Sequence, residues 1–487
     1  MSTSMSESTA EALPPPNAVE HVDTHADGGL WGSIGEALRG SHRDFTQGAV
    51  SRAILILAIP MVLEMVMESV FAVTDVFFVS KLGASAVATV GLTESWLTLI
   101  YALAMGLAIG TSAMVARRTG ERDREGAARA AMQGILLGIG VALVVGIAGG
   151  LFAPTLLRAM GASPDVIAVG SRFARVMLGG NVTIVMLFLI NAIFRGAGDA
   201  AIAMRVLWLA NAINILLGPC LIFGLGPFPR LGVTGAAIAT NIGRGTGALF
   251  AFSRLLKPGS RIDIHARHLR LEPALIARVV RIAWSACVQL LIGMCSWIAV
   301  IRILSTFGSN VLAGYTIGIR VIMFALLPAA GLGNAAATMV GQALGARKPE
   351  RAEAAVKIAG TYNMVVLSVV GALLAIFAPQ IARFFTSDPA IIPNASNVLR
   401  IVACGFPFYA WGMVISQSFN GAGDTRTPTM LNLLVFWCWE LPLAYVLGVK
   451  FGFGPIGIYT ALAIAFSTYA VAGAALFRRG RWKTKKV

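Results

Sequence analysis

The chain is 487 residues long, 57% hydrophobic and only 13% charged. A soluble protein of this size carries roughly a quarter of its residues as charges to cover its surface, so a water-soluble enzyme of two or three domains is excluded and lipid must wet most of the surface. The formal charge of +16, from 39 basic and 23 acidic residues, would suit nucleic acid only if it were focused in one groove.

Residues 1–50 are acidic, rich in Ser, Ala and Gly, and contain Pro14-Pro15-Pro16. No apolar core follows a basic start, so this stretch reads as an unfolded cytosolic tail and not as a cleavable signal peptide. Within it, Trp31 to Leu38 has the pattern of a short amphipathic helix for a membrane surface. From residue 52 onward, apolar stretches alternate with short polar breaks, at about 53–79, 86–115, 128–152, 166–193, 202–225, 233–253, 280–306, 311–341, 356–378, 393–418, 428–449 and 455–477. Each can cross about 30 Å of hydrocarbon. Lipid satisfies no backbone hydrogen bond and ten-residue alternating strands are absent, so the prediction is an all-α membrane protein of twelve transmembrane helices.

Basic residues gather in alternate breaks and in the C-terminal tail, whereas the opposite loops hold Lys81, Arg158, Arg230, Arg383 and Lys450. That asymmetry places both termini in the cytosol of a multi-pass inner or plasma-membrane protein. Charge spread over separate loops also removes the case for nucleic acid. Cys220, Cys287, Cys295, Cys404 and Cys438 lie inside apolar runs without short spacing, which supports neither a disulfide framework nor zinc and predicts buried thiols. His21, His25, His42, His265 and His268 fall in the tail or a loop, leaving no buried histidine cluster. The expectation is therefore no enzyme, no cofactor and no resident metal.

The chain repeats itself. Gly83, Gly106, Met114, Gly120, Pro154, Pro164, Arg175, Gly180, Asp199 and Gly232 recur 225 positions later as Gly308, Gly331, Met339, Gly345, Pro379, Pro389, Arg400, Gly405, Asp424 and Gly457. Six helices per copy, an even number, make both copies enter the membrane in the same direction. The prediction is a parallel repeat about the membrane normal, an N-lobe (51–253) and a C-lobe (282–478), joined by a basic linker (254–281) and followed by a basic tail (479–487). One half rocking against the other is the architecture of alternating access.

Several motifs then resemble a known family. They are Ala58-Ile59-Pro60 with Val73-Thr74-Asp75-Val76-Phe77-Phe78-Val79, Gly110-Thr111 with Ala116-Arg117-Arg118, Phe194-Arg195-Gly196-Ala197-Gly198-Asp199, and Asn214-Ile215-Leu216-Leu217-Gly218-Pro219. In order and spacing they resemble the multidrug and toxic compound extrusion (MATE) family of cation-coupled exporters, over about residues 50–478. The resemblance implies two six-helix lobes in a V and export of amphipathic, often cationic compounds against inward flow of Na⁺ or H⁺. It maps the first-helix aspartate of the family's N-lobe cation site onto Asp75, and the asparagine and proline of its Asn-x-x-x-Asp-Pro pattern onto Asn214 and Pro219. Gly218 stands where that pattern has aspartate. The acids some relatives carry on helices 7 and 10 are missing, since no Asp or Glu occurs between Glu272 and Glu350 or within 393–418.

Only Glu64, Glu68, Asp75, Glu94 and Glu440 are acids within spans, and an acid in hydrocarbon is expensive unless protonated, paired or facing water. Glu64, Glu68 and Asp75 share one helix face over about 16 Å. Like charges so close on one helix should raise at least one pKa, and the reading is that this stripe, with Glu94, replaces the missing fifth-helix aspartate and couples export to protons. The alternative is that Glu64 and Glu68 pair with in-span cations such as Arg244 or Arg320. Asn214 is a cation ligand (Na⁺ between Asp75 and Asn214) or an interhelical donor, and Glu440 is structural or functional. Met61, Met65 and Met105 are candidates to line an adaptable substrate cavity, or are plain filler. Arg175 and Arg400 are expected to bind helix-end carbonyls or reach the headgroups.

The function predicted is a secondary antiporter for small amphipathic compounds, monomeric and surrounded by lipid. A rival is a lipid-linked precursor flippase, which needs a cationic cavity, for which Arg244, Arg302 and Arg320 are available. The remoter rival is an intramembrane aspartyl protease, suggested by Gly196-Ala197-Gly198-Asp199 and Gly421-Ala422-Gly423-Asp424. Those segments are better read as tight turns with the aspartate capping the next helix.

Overall fold

The structure, a computed structural model, describes residues 30–41, 43–257 and 259–485, so most of the N-terminal tail, including His21, His25 and His42, lies outside the described residues. All twelve apolar stretches are helices. They are numbered here α1 (Val50–Ser80), α2 (Ala84–Gly120), α3 (Arg124–Ala159), α4 (Pro164–Gly179 and Val182–Ala197), α5 (Ala200–Phe223), α6 (Val233–Leu255), α7 (Pro273–Leu304), α8 (Ser309–Gly345), α9 (Pro349–Ile376), α10 (Ile392–Ala403 and Phe406–Gly421), α11 (Arg426–Lys450) and α12 (Gly454–Arg478). Among the described residues ten are long and apolar enough to cross a bilayer, and the α10 pair, bent by 58°, makes an eleventh. The twelfth is α6, whose hydropathy is diluted by Gly235, Gly243, Arg244, Gly245 and Gly247.

The repeat is visible in the backbone. Gly83 and Gly308 open α2 and α8 at φ +94° and +100°, and Gly198 and Gly423 turn the chain at φ +85° and +79°. More telling are Arg122 and Arg347, at φ +60° and +58°, the two non-glycine residues with positive φ among those described. Each pair is 225 positions apart, and a left-handed conformation is too costly for an arginine to recur by chance. The Gly-Ala-Gly-Asp turns are as expected, but their aspartates do not cap a helix backbone. The Asp199 side chain makes no cap hydrogen bond, whereas Asp424 accepts from the Thr427 hydroxyl (2.7 Å) and pairs with Lys485 (3.2 Å).

Each lobe has its own apolar core, and a third cluster stitches the first half of α1 to α8, α9 and α10. The lobes meet at the face that carries both termini. There a Cβ on Gly120 would lie 2.0 Å from the Gln342 carbonyl oxygen, and one on Gly345 would lie 2.1 Å from that of Arg117. A Cβ on Gly331 of α8 would lie 2.7 Å from the Val62 backbone nitrogen, and one on Gly106 of α2 2.2 Å from the Cys287 sulfur of α7. Farther along the same helices Gly91 and Gly293 meet nothing within 4 Å. The V is therefore closed at the terminal face and parted at the other, and α1 is buried through Met61 but exposed at Val70, Val73 and Phe77.

Part of the expected tail is structured. Leu30–Arg39 is a helix, held by Arg205, which donates to the Leu38 and Arg39 carbonyls (2.7 and 2.8 Å). The strand of chain after it straps the two lobes. Arg351 of α9 donates to the carbonyls of Phe45, Gln47 and Gly48 (2.8, 2.6 and 2.7 Å) and Lys348 to that of Thr46 (3.0 Å). On the N-lobe side Arg122 pairs with Asp44 (2.9 Å), and linker Arg261 donates to Ser41 and Arg43. An unfolded tail fails here because basic loops of both lobes supply donors to backbone carbonyls that would otherwise need water. Burial opposes ionisation of Asp44, but hydrogen bonds from Thr46 and Arg122 outweigh it and hold its pKa below the ordinary 3.8. Its tie is thus present above that value and lost only as pH falls through the still lower folded pKa. Arg351→Ala frees three carbonyls at once, and trypsin cleavage after Arg43 should rise several-fold.

One further expectation, that of buried thiols, is revised, and the linker histidine and the repeat-related arginines are placed. Cys287 is buried, but Cys295, Cys404 and Cys438 are exposed, because an apolar run in this protein has a lipid face as well as a core face. His268 is buried although it lies in the linker, with Nε2 2.9 Å from Glu125. Arg400 does bind a helix-end carbonyl, Ala375 (3.3 Å), whereas its repeat mate Arg175 is exposed.

Candidate functional site

The acidic face of α1 is met by α4, α5 and α6. Glu64 is 2% exposed and accepts from Arg195 at 2.6 Å and from Asn191 at 3.4 Å, both on α4. One turn on, Glu68 accepts from Asn211 of α5 (3.1 Å) and pairs with Arg244 of α6 (3.3 Å). Arg244 can reach inward because α6 is thin where it crosses α5. A Cβ on Gly243 would lie 2.5 Å from the Ala210 carbonyl oxygen and one on Gly247 2.8 Å from the Ala210 methyl. Only 3% exposed, its guanidinium lies 5.5 to 5.8 Å from the ring centres of Phe71, Tyr101 and Phe188, a cage that stabilises a desolvated cation.

Two turns beyond Glu68, Asp75 lines a cavity of about 210 Å³ together with Glu94, Thr98, Tyr101, Thr240 and Arg244. Asp75 is half-buried, and unlike Glu64 and Glu68 it has no ion pair within 4 Å among the described residues. Glu94 is exposed at the parted side, with Asp75 behind it and Arg320 of α8 as its counter-charge from the other lobe. Asn214 donates to the Thr240 hydroxyl (2.8 Å), which puts it one hydrogen bond behind the wall. A Cβ on Gly218 would have a single neighbour within 4 Å, the Asn214 side-chain oxygen at 3.8 Å, so the missing carboxylate leaves that oxygen facing space.

Of the residues singled out in the sequence, the structure thus brings Asp75 and Glu94 into the cavity, Glu68 and Asn214 against its wall, and Glu64 into an enclosed ion pair. Glu440 is buried in the other lobe, at the end of a π-helical stretch of α11 (Leu433–Glu440). Met61 is packed between α1 and α8 in the cluster that closes the terminal face. Met65 and Met105 are not on the cavity wall, and the methionine that is, Met177, was not foreseen. Arg195 was also missed as a partner, since nothing in the spacing of residues 64 and 195 signals that they touch.

This constellation sits in two lobes that also match known proteins. The MatE family model matches residues 60–220 and 282–446, one segment in each copy of the repeat. The chain belongs to the MATE family. It is 26% identical to "Probable multidrug resistance protein YoeA" of Bacillus subtilis, over 86% of this chain and 91% of that one. Identity is likewise 26% to the "FAD transporter" of Shewanella oneidensis, over 82% and 90%. Among solved structures, a transporter of the MOP superfamily from Pyrococcus furiosus superposes with a TM-score of 0.85 at 29% identity, over 91% of this chain and 98% of that one. Another, described as an outward-facing multidrug resistance MATE transporter, gives 0.84 at 29%, with the same coverage. This MATE protein is a membrane transporter and not an enzyme, so the protease reading of the Gly-Ala-Gly-Asp turns falls away.

Proposed function

We propose that this MATE protein is a secondary antiporter that exports small amphipathic, often cationic compounds in exchange for H⁺ or Na⁺, with coupling in the N-lobe. The observation that carries the reading is Asp75, the one acid of the α1 stripe that lines a cavity and has no direct ion pair among the described residues. A carboxylate in that position takes up a cation from whichever side the V faces, and the cost of leaving it charged in a dry cavity drives the exchange. Glu94 at the mouth and Glu68 behind tune the site, while Glu64, enclosed by Arg195 and Asn191, holds helices together. The basic loops put the strapped face in the cytosol, so the parted V faces outward, in a monomer of the inner or plasma membrane. A flippase for lipid-linked pyrophosphate is disfavoured because two carboxylates share the cavity with Arg244.

The test is ethidium efflux from proteoliposomes under an imposed pH gradient or an imposed Na⁺ gradient. At least one gradient should drive efflux by the wild type, and Asp75→Asn should cut that rate by about tenfold or more, the equivalent of about 1.4 kcal/mol. Undiminished efflux by Asp75→Asn ends the coupling role of this residue.

A further inference from the structure

The α1 stripe has three acids, and the protein supplies two arginines to it from other helices. Arg195 neutralises Glu64 and Arg244 neutralises Glu68, so among the described residues Asp75 is the acid of the stripe with no ion pair within 4 Å, although Arg244 lies within its electrostatic reach. Arg244 differs from Arg195 in lining that cavity itself. Its Nη2 donates to Glu68, and Tyr101 and Asp75 lie within its electrostatic reach. The Arg244 guanidinium is thus held by one ion pair and by the ring faces around it, and it lies in the field of both Glu68 and Asp75.

We infer that Arg244 is a resident counter-cation, occupying the place an inorganic cation would take beside Glu68 and Asp75, so that the N-lobe exchanges protons and excludes Na⁺. The inference rests on the antiport reading and names its coupling ion. An arginine is always charged and offers five donors and no acceptor. Na⁺ would bring a second positive charge beside a guanidinium already paired with Glu68, and like-charge repulsion opposes it. Oxygens are present on the wall, in Asp75, Glu94, Thr98 and Thr240, so it is the fixed positive charge of Arg244, not a lack of ligands, that opposes Na⁺. A proton needs neither room nor a shell. It forms one covalent bond to a carboxylate oxygen of Asp75 and leaves that site neutral.

The groups that face this centre are few. From α1 they are Glu68 and Asp75, and from α2 Glu94 and Tyr101. From α5 they are the neutral Asn211 and Asn214, and α4 contributes the Phe188 ring. Arg320 of α8 reaches only Glu94 at the mouth. None of these supplies a second fixed positive charge inside the cavity, so removing Arg244 removes the barrier as a whole.

The experiment measures equilibrium binding of radioactive sodium to the full-length purified protein in detergent, alongside ethidium efflux under pH and Na⁺ gradients. Wild type should show no saturable Na⁺ binding and efflux driven by the pH gradient alone. The isosteric pair removal Glu68→Gln/Arg244→Met, which leaves no orphaned charge, should acquire saturable binding that is lost again on adding Asp75→Asn. Glu68→Gln alone keeps the guanidinium and should remain blind to Na⁺. Saturable Na⁺ binding by the wild type overturns the inference whatever the variants do. So does a double variant that melts like wild type and still binds no Na⁺, or a Glu68→Gln variant that binds it. Sodium binding requires no transport, so failure of ethidium to move under either gradient counts against the antiport reading while the binding result still decides the role of Arg244.

Discussion

Arg195→Met is expected to destabilise the protein by about 3–5 kcal/mol, the usual cost of stripping the partner from a buried ion. Glu64 is almost fully enclosed, and among the described residues Arg195 at 2.6 Å is its one ion-pair partner. Asn191 at 3.4 Å is a weak substitute, and one Glu64 oxygen already has no donor. The double variant Glu64→Gln/Arg195→Met removes both charges and should recover most of the loss, since a buried pair adds little net stability over neutral groups of similar shape. Thermal unfolding of the detergent-solubilised single and double variants checks both statements. A single variant that melts like wild type would mean that Glu64 is neutral in the folded protein or reached by water, and that its enclosure by α4 is misjudged.

The second large effect is conformational. Gly345→Val places a branched side chain where even a Cβ would lie 2.1 Å from the Arg117 carbonyl oxygen, and backbone on both sides gives the contact no flexible end to move. The seam between α2 and α8 must open, and with it the closed terminal face. A cysteine introduced at Thr119, beside the seam, should then react with a bulky thiol reagent at least about tenfold faster than in the Gly345 parent, a shift worth about 1.4 kcal/mol in the open population. Gly120→Val should act in the same way from the other lobe, through the Gln342 carbonyl at 2.0 Å. Gly91→Val, on the same helix but with open space around it, should leave the rate unchanged.

Much of this architecture was legible in the residues because the solvent is lipid. Long apolar runs must be helices, alternate basic breaks orient them, and a constant offset of 225 over a dozen positions leaves one topology. The site was half legible. Asp75 and Glu94 could be picked out because an acid inside an apolar span has to be accounted for, and Arg244 stood out for the same reason. What could not be read was which acid each arginine would meet. Glu64, a candidate for coupling, is enclosed in an ion pair, because Arg195, 131 positions away, is brought to it by the packing of α4 on α1.

The same limit explains the other revisions. In a soluble protein an apolar residue is a core residue, but here lipid and core are equally apolar, so composition could not tell exposed Cys295, Cys404 and Cys438 from buried Cys287, or the inter-lobe Met61 from the cavity-lining Met177. Nor could it show that residues 41–48 are bound, since the carbonyls that bind Arg261 and Arg351 belong to the backbone and leave no mark on the side-chain pattern. By itself, then, the sequence determined that this is a twinned, twelve-helix membrane protein with a few costly charges on its first helix, because hydrophobicity and duplication are properties of the chain. Only the tertiary structure decided which of those charges are cancelled and which remains free, because charge pairing depends on distances between helices that no local pattern encodes.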